Sequence, residues 1–193
     1  MSLDELGLDA PERVRYEPSG WRDLARVLQT HEVSDEDVFI DLGSGKGRVV
    51  LQAARYPFGR VIGVELSEEL NDIARANIDA VKSTLRCGSV ELETADIAEY
   101  DVPDDVTVAY VYNAFRGELF DAAVRALLAS LDRRQRPLRL IYKTPLEEDR
   151  LLATGRAVPV RMVRGRRPGR AWSAKMSIRM YLLLPRQAEV ART

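Results

Sequence analysis

The residues with the most chemical potential form one short run, Phe39-Ile40-Asp41-Leu42-Gly43-Ser44-Gly45-Lys46-Gly47-Arg48. An apolar strand that ends in an acid and closely spaced glycines lays bare backbone against whatever binds there, and glycine permits the sharp turn into a helix. The spacing excludes two phosphate-binding readings. A dinucleotide fingerprint starting at Gly43 needs glycine at 48, where Arg48 stands; a phosphate loop needs Lys and then Ser or Thr after its last glycine, and Arg48 and Val49 follow Gly47. A second acid, Glu65, ends the run Val61-Ile62-Gly63-Val64, 18 residues after Gly47. A carboxylate at that place can accept both hydroxyls of a ribose without a 2′-phosphate. Asp96 ends a third run, Thr94-Ala95-Asp96-Ile97, and can accept from an adenine amino group while Ile97 offers its amide and an apolar face.

Asp-x-Gly-x-Gly-x-Gly resembles the first motif of class I S-adenosylmethionine (SAM) dependent methyltransferases. The nicotinamide dinucleotides share the acid at the second strand end, so the glycine spacing decides between them. The resemblance covers about residues 35 to 145. It implies that Asp41 with Gly43, Ser44, Gly45 and Gly47 holds the amino-acid end of SAM, that Glu65 and the adjoining Leu66 hold the ribose, and that Asp96 and Ile97 hold the adenine. S-adenosylhomocysteine (SAH) would be the product.

The acceptor is expected at the end of the fourth strand, Tyr110-Val111-Tyr112-Asn113-Ala114-Phe115. This stretch resembles the Asn-Pro-Pro-Phe/Tyr motif of enzymes that methylate amino groups, and more closely the Tyr-Asn-Pro-Phe form of small bacterial methyltransferases. The resemblance implies an Asn113 amide that accepts from an amine and borders the cofactor, and a Phe115 ring that packs on the acceptor; Ala114 replaces the motif's proline. The lead-in Arg15-Tyr16-Glu17-Pro18-Ser19-Gly20 resembles the Tyr-x-Pro-Thr/Ser segment of protein-lysine methyltransferases of the non-SET histone and mitochondrial ATP synthase c-subunit types. Those families share the wording at 41–50, and in them the lead-in folds over the cofactor, which would bring Tyr16 and Ser19 to SAM. The expected activity is methyl transfer from SAM, with an amine on a protein or small molecule preferred over oxygen. The alternative is a SAM-fold module that binds a ligand or RNA without transferring methyl groups.

These residues need strand ends to stand on. Apolar runs alternate with helical patterns, which predicts an α/β, Rossmann-like SAM methyltransferase fold: a mostly parallel seven-stranded sheet, helices on both faces and a C-terminal antiparallel hairpin. The expected elements are a helix over 20–31, a strand over 38–42, a helix over 48–56, a strand over 60–65 and a helix from its cap Ser67 to about Lys82. Strands over 90–95 and 106–112, a helix over 117–131 and a strand over 138–143 follow, and 157–163 with 176–184 closes the chain as a hairpin. One domain over 1–193 is expected, with an N-terminal arm and helix (1–34), a cofactor-binding core (35–145) and a hairpin region (146–193).

The rest of the composition narrows the chemistry. One His (His31) and one Cys (Cys87) exclude a zinc cluster, an intrachain disulfide and a Cys–His dyad, and no metal site is expected. Catechol-type, metal-assisted methylation lacks its Asp-Asn pair near the fourth strand. His31 reads as a helix-end residue, Cys87 as incidental, and Lys143 as solvated or paired with an acid. The net charge of −1 hides two unequal parts: residues 1–155 carry 19 basic and 29 acidic side chains, residues 156–193 carry 10 and 1. Arg161, Arg164, Arg166, Arg167 and Arg170, with Trp172 beside them, offer a surface for nucleic acid or another anion. The favoured reading is a hairpin loop balanced against acidic helices such as Glu147-Glu148-Asp149. Residues 1–12 have no apolar core of a signal peptide and Tyr181–Pro185 is too short to cross a bilayer, so a cytoplasmic protein without membrane contact is expected. The acceptor's identity and the oligomeric state are left open.

Overall fold

The computed structural model describes residues 19–112, 115–164 and 177–186. Seven strands form one sheet in the order β3-β2-β1-β4-β5-β7-β6, with β1 Val38–Leu42, β2 Arg60–Glu65, β3 Ser89–Thr94, β4 Val108–Tyr112, β5 Leu138–Lys143, β6 Ala157–Val163 and β7 Ile178–Leu183. The first five pair in parallel, and β7 and β6 run antiparallel at one edge. This is the expected architecture. Strand order reverses beside β1, which leaves a crevice where the chain departs to β2 on one side and β4 lies on the other. Open α/β sheets bind ligands at such a point.

Successive strand residues feed opposite faces. Ile40, Leu42, Ile62, Val111 and Leu140 pack on one side with Phe120, Val124 and Leu127 of α4 (Gly117–Arg133) and Leu151 of α5 (Glu148–Ala153). Phe39, Val61, Val108, Tyr110 and Ile141 pack on the other with Leu24 and Val27 of α1 (Asp23–Val27), Val49 and Val50 of α2 (Arg48–Ala53) and Ile78 of α3 (Glu68–Asp79). Each largely buried strand contributes to both layers, which is why β1 is buried along its whole length and, apart from Asp41, apolar rather than alternating.

The expected helix over 20–31 is shorter. It ends at Val27 because Leu28 turns extended, and Thr30–Glu32 forms a separate 3-10 turn carrying His31. The Glu32 carboxylate folds back to accept the Gln29 amide at 2.7 Å and is gripped by Arg161 of β6. Helix α3 stops at Asp79, and Lys82–Thr84 forms another 3-10 turn. Its expected cap is present: the Leu70 amide donates to Ser67 Oγ at 3.3 Å. The acidic segment after β5, expected to be helical around Glu147-Glu148-Asp149, includes α5. β3 is the outer strand on its side and half-exposed, so its alternation is soft. Among the described residues no helix is long and apolar enough to cross a membrane.

Candidate cofactor and acceptor site

The ends of β1 and β2 meet at the glycine turn. Gly43, Gly45 and Gly47 all hold left-handed backbone (φ 81°, 54° and 74°), which other residues adopt only at a cost. At Gly47 a side chain is excluded twice, because a Cβ there would lie 2.9 Å from the Cβ of Ala74 in α3. The turn is strapped to β2: the amides of Gly43 and Ser44 both donate to the Val64 carbonyl, at 2.9 and 3.0 Å. Glu65 completes the strap, one carboxylate oxygen accepting the Gly45 amide at 2.8 Å and the other the Ser67 amide at 3.1 Å. Each oxygen keeps acceptor capacity for a further donor such as a ribose hydroxyl.

Asp41 sits deeper, 3% exposed, between Gly63 of β2 and Tyr110 of β4. Burial, and then the nearby Glu65 charge, push its carboxyl up to about 8. Among the described residues it has no basic partner. A positively charged group arriving at the β1 end would therefore meet an acid short of a counter-charge. Two buried polar atoms beside the turn also lack partners among the described residues: Ser44 Oγ in the turn itself and Asn71 Oδ1 in α3, whose amide nitrogen holds Thr94 Oγ1 at 2.8 Å.

The remaining expected site residues fall as follows. Asp96 lies just beyond β3, accepting the Ala98 amide at 3.0 Å, with Ile97 buried beside it; Leu66 is half-buried next to Glu65. Ser19 is buried, its hydroxyl 3.2 Å from that of Tyr110 and its carbonyl accepting from Arg48 at 3.0 Å. The structure thus brings Asp41, Gly43, Ser44, Gly45, Gly47, Glu65, Leu66, Asp96, Ile97 and Ser19 to one end of the sheet. Phe115 is 9% exposed and belongs to the core under α4, which leaves little of its ring for an acceptor. Asn113 and Tyr16 lie outside the described residues, as do Arg166, Arg167, Arg170 and Trp172.

Sequence reasoning missed Tyr110, Asp23 and Gln52. Tyr110 reads as one more apolar strand residue, but a fully buried tyrosine must find a hydrogen-bond partner, and that was the available signal. Lys143 is acid-paired, 2.7 Å from Asp23. Burial raises the Cys87 thiol, so it is a poor nucleophile. Among the described residues no group of three or more His, Cys, Asp or Glu side chains could hold a metal ion.

Among the described residues, three arginines of the basic C-terminal part are paired with acids. Arg156 binds Asp132, Arg161 binds Glu32 at 2.8 Å and Arg179 binds Glu148. Each joins the C-terminal hairpin to an acidic element of the body.

Comparison with known proteins bears on the family and the fold. A protein-lysine N-methyltransferase of Saccharolobus islandicus is 31% identical over 96 residues, 49% of this chain and 58% of the relative. A probable ribosomal RNA small subunit methyltransferase A of Methanopyrus kandleri is 31% identical over 86 residues, 43% of this chain and 27% of that protein. The matches thus span less than two thirds of either relative. Among solved structures, an RNA methyltransferase from Salinibacter ruber in complex with SAH shares the fold, with a TM-score of 0.60 at 24% identity over 90% of this chain and 97% of that one. The family profile of histone methylation protein DOT1 matches residues 19–136, from the Ser19 turn through the glycine turn, all five parallel strand positions but the last, and α4. On that match over more than half its length, the chain belongs to the histone methylation protein DOT1 family.

Proposed function

We propose that this chain is a class I SAM-dependent methyltransferase of one domain, with an amine acceptor. The observation that carries the reading is the glycine turn held between two acidic strand ends, one of them the buried Asp41. SAM bears an ammonium and a sulfonium, so its amino-acid end suits the β1 end, where a cation would restore the ionised form of Asp41. Ser44 Oγ offers a donor beside it. Glu65 keeps capacity for the ribose hydroxyls, and Asp96 with Ile97 lies next along the strand ends for the adenine. Family membership and the fold of the SAH-bound relative support the same cofactor.

SAM supplies an activated methyl group for in-line displacement, so the protein's work is alignment and exclusion of water. That suits a chain with one histidine and one half-buried cysteine. The crevice between β1 and β4 orients the ligand, and the end of β4 faces the acceptor. Asn113 is the proposed acceptor-binding group and Tyr16 with Ser19 the proposed cover. A protein amine is preferred to RNA because Arg156, Arg161 and Arg179 are already satisfied by acids, which removes three cations from any nucleic-acid surface. The test is calorimetric titration with SAM and with SAH. Both bind, and Gly45→Arg, which fills the turn, abolishes both; an intact wild-type chain that binds neither overturns the reading.

A further inference from the structure

The turn at residues 19–23 is fastened to three elements at once. Ser19 meets Tyr110 of β4 and Arg48 of α2. Gln52 of α2 donates to the Gly20 carbonyl at 3.1 Å and accepts the Leu24 amide at 3.3 Å. The last fastening is ionic. Lys143 Nζ, at the end of β5, lies 2.7 Å from Asp23 Oδ2, and that same oxygen accepts the Gly20 amide at 2.7 Å. The carboxylate packs so closely that a Cβ at Gly20 would lie 2.9 Å from it. The Lys143 ammonium also stands 3.7 Å from the centroid of the Tyr112 ring, its register partner on β4 and the residue before Asn113. Thr144, the next residue, holds a left-handed backbone (φ 53°) that β-branched side chains rarely adopt.

Both charged side chains are only 15% exposed. An ion pair so far from water gives little net stability over an apolar pair of the same size, because desolvation offsets the attraction. Such a pair does select one geometry, since any other leaves a charge without its partner. Here it ties residue 23 to residue 143 at the site end of the sheet, next to the cofactor turn and beside the last described residue of β4.

We propose that Asp23 and Lys143 are positioning residues for the methyl-transfer site: the pair fixes the 19–23 turn against the cofactor turn and holds the Tyr112 ring at the acceptor end of β4. The proposal rests on the cofactor reading above. Neither residue touches the reacting atoms; each acts through Gly20 and Tyr112.

The test uses the full chain carrying Trp172→Phe, which leaves Trp21, inside the fastened turn, as its one tryptophan. Trp21 is exposed and stacked by Arg48, whose guanidinium lies 4.8 Å from the ring centroid, so its emission reports the turn directly. SAH titration of this protein changes Trp21 emission. Lys143→Met weakens SAH binding by about tenfold or more, Lys143→Arg recovers most of it, and Asp23→Asn combined with Lys143→Met is no weaker than Lys143→Met alone, because the two act as one unit. The double variant leaves no buried unpaired charge and carries the test if Lys143→Met fails to fold. A folded double variant that binds SAH within about twofold of its parent, with the same Trp21 response, overturns the proposal while leaving the cofactor reading intact. A parent protein that does not bind SAH overturns the reading and the proposal together.

Discussion

Replacing Asp41 by asparagine removes the buried ionisable group at the centre of the site and has a calculable signature. The carboxyl stands near its ordinary 3.8 in the unfolded chain and is pushed up to about 8 in the folded one, first by burial and then by Glu65. Between those values the folded state holds a proton that the unfolded state has released. Stability therefore falls as pH rises, by about 1.4 kcal/mol per pH unit from this one group, and levels off above about pH 8. From about pH 5 to about pH 7 the loss is about 3 kcal/mol, large against the total stability of a domain. Urea unfolding followed by tryptophan emission at several pH values measures it. The difference between Asp41→Asn and wild type grows with pH across this window and then plateaus; parallel profiles would refute the assignment of a raised carboxyl. Ligand binding gives a second readout on the same group. If the SAH ammonium pairs with the Asp41 carboxylate, binding near pH 6.5 releases about one proton from wild type and none from Asp41→Asn. The calorimetric enthalpy then depends on the buffer's ionisation enthalpy for wild type only, and a wild type without that dependence refutes the pairing.

Three further outcomes are expected. Ser67→Ala removes the cap of α3 and lowers stability by about 1 kcal/mol, read by thermal or urea unfolding with an unchanged fold by circular dichroism. Glu32→Gln breaks the Arg161 pair, which holds the Glu32 carboxyl down to about 2; the pair's contribution is present above about pH 4.5 and lost as pH falls toward 2. Because both groups are partly exposed, the cost at neutral pH stays below about 1 kcal/mol, and a comparison of wild type and variant at pH 7 and near pH 2 checks it. Cys87, half-buried with its thiol raised, is alkylated by iodoacetamide more slowly in the folded chain than in urea, as followed by mass spectrometry.

The sequence carried the architecture because its cues were local. An apolar run before a glycine cluster, an acid at a strand end and a serine before two glutamates each declare an element within a few residues, and β1, β2, β5 and β6 begin and end where their patterns do. The gathering of Asp41, Glu65 and Asp96 at one end of the sheet was legible for the same reason, since each strand end brings its own acid. What stayed hidden spans long separations. Asp23 and Lys143, Ser19 and Tyr110, Arg161 and Glu32 meet only when strands far apart in the chain become neighbours. The strongly basic C-terminal part reads as a hairpin balanced against acidic helices, and three of its arginines are ties to acids that the other part holds in excess. The short first helix was misjudged because Leu28 keeps the apolar spacing while leaving the helical backbone, and a periodicity of buried side chains does not register that change.

The central claim is methyl transfer from SAM to an amine on protein. Incubating the intact chain with tritiated-methyl SAM and host lysate, and separating protein, RNA and small molecules, addresses it directly. The account predicts label in the protein fraction that resists mild base, as an N-methyl group does, and its loss with Gly45→Arg. Label confined to RNA, or label in no fraction from a protein that binds SAM, would contradict it.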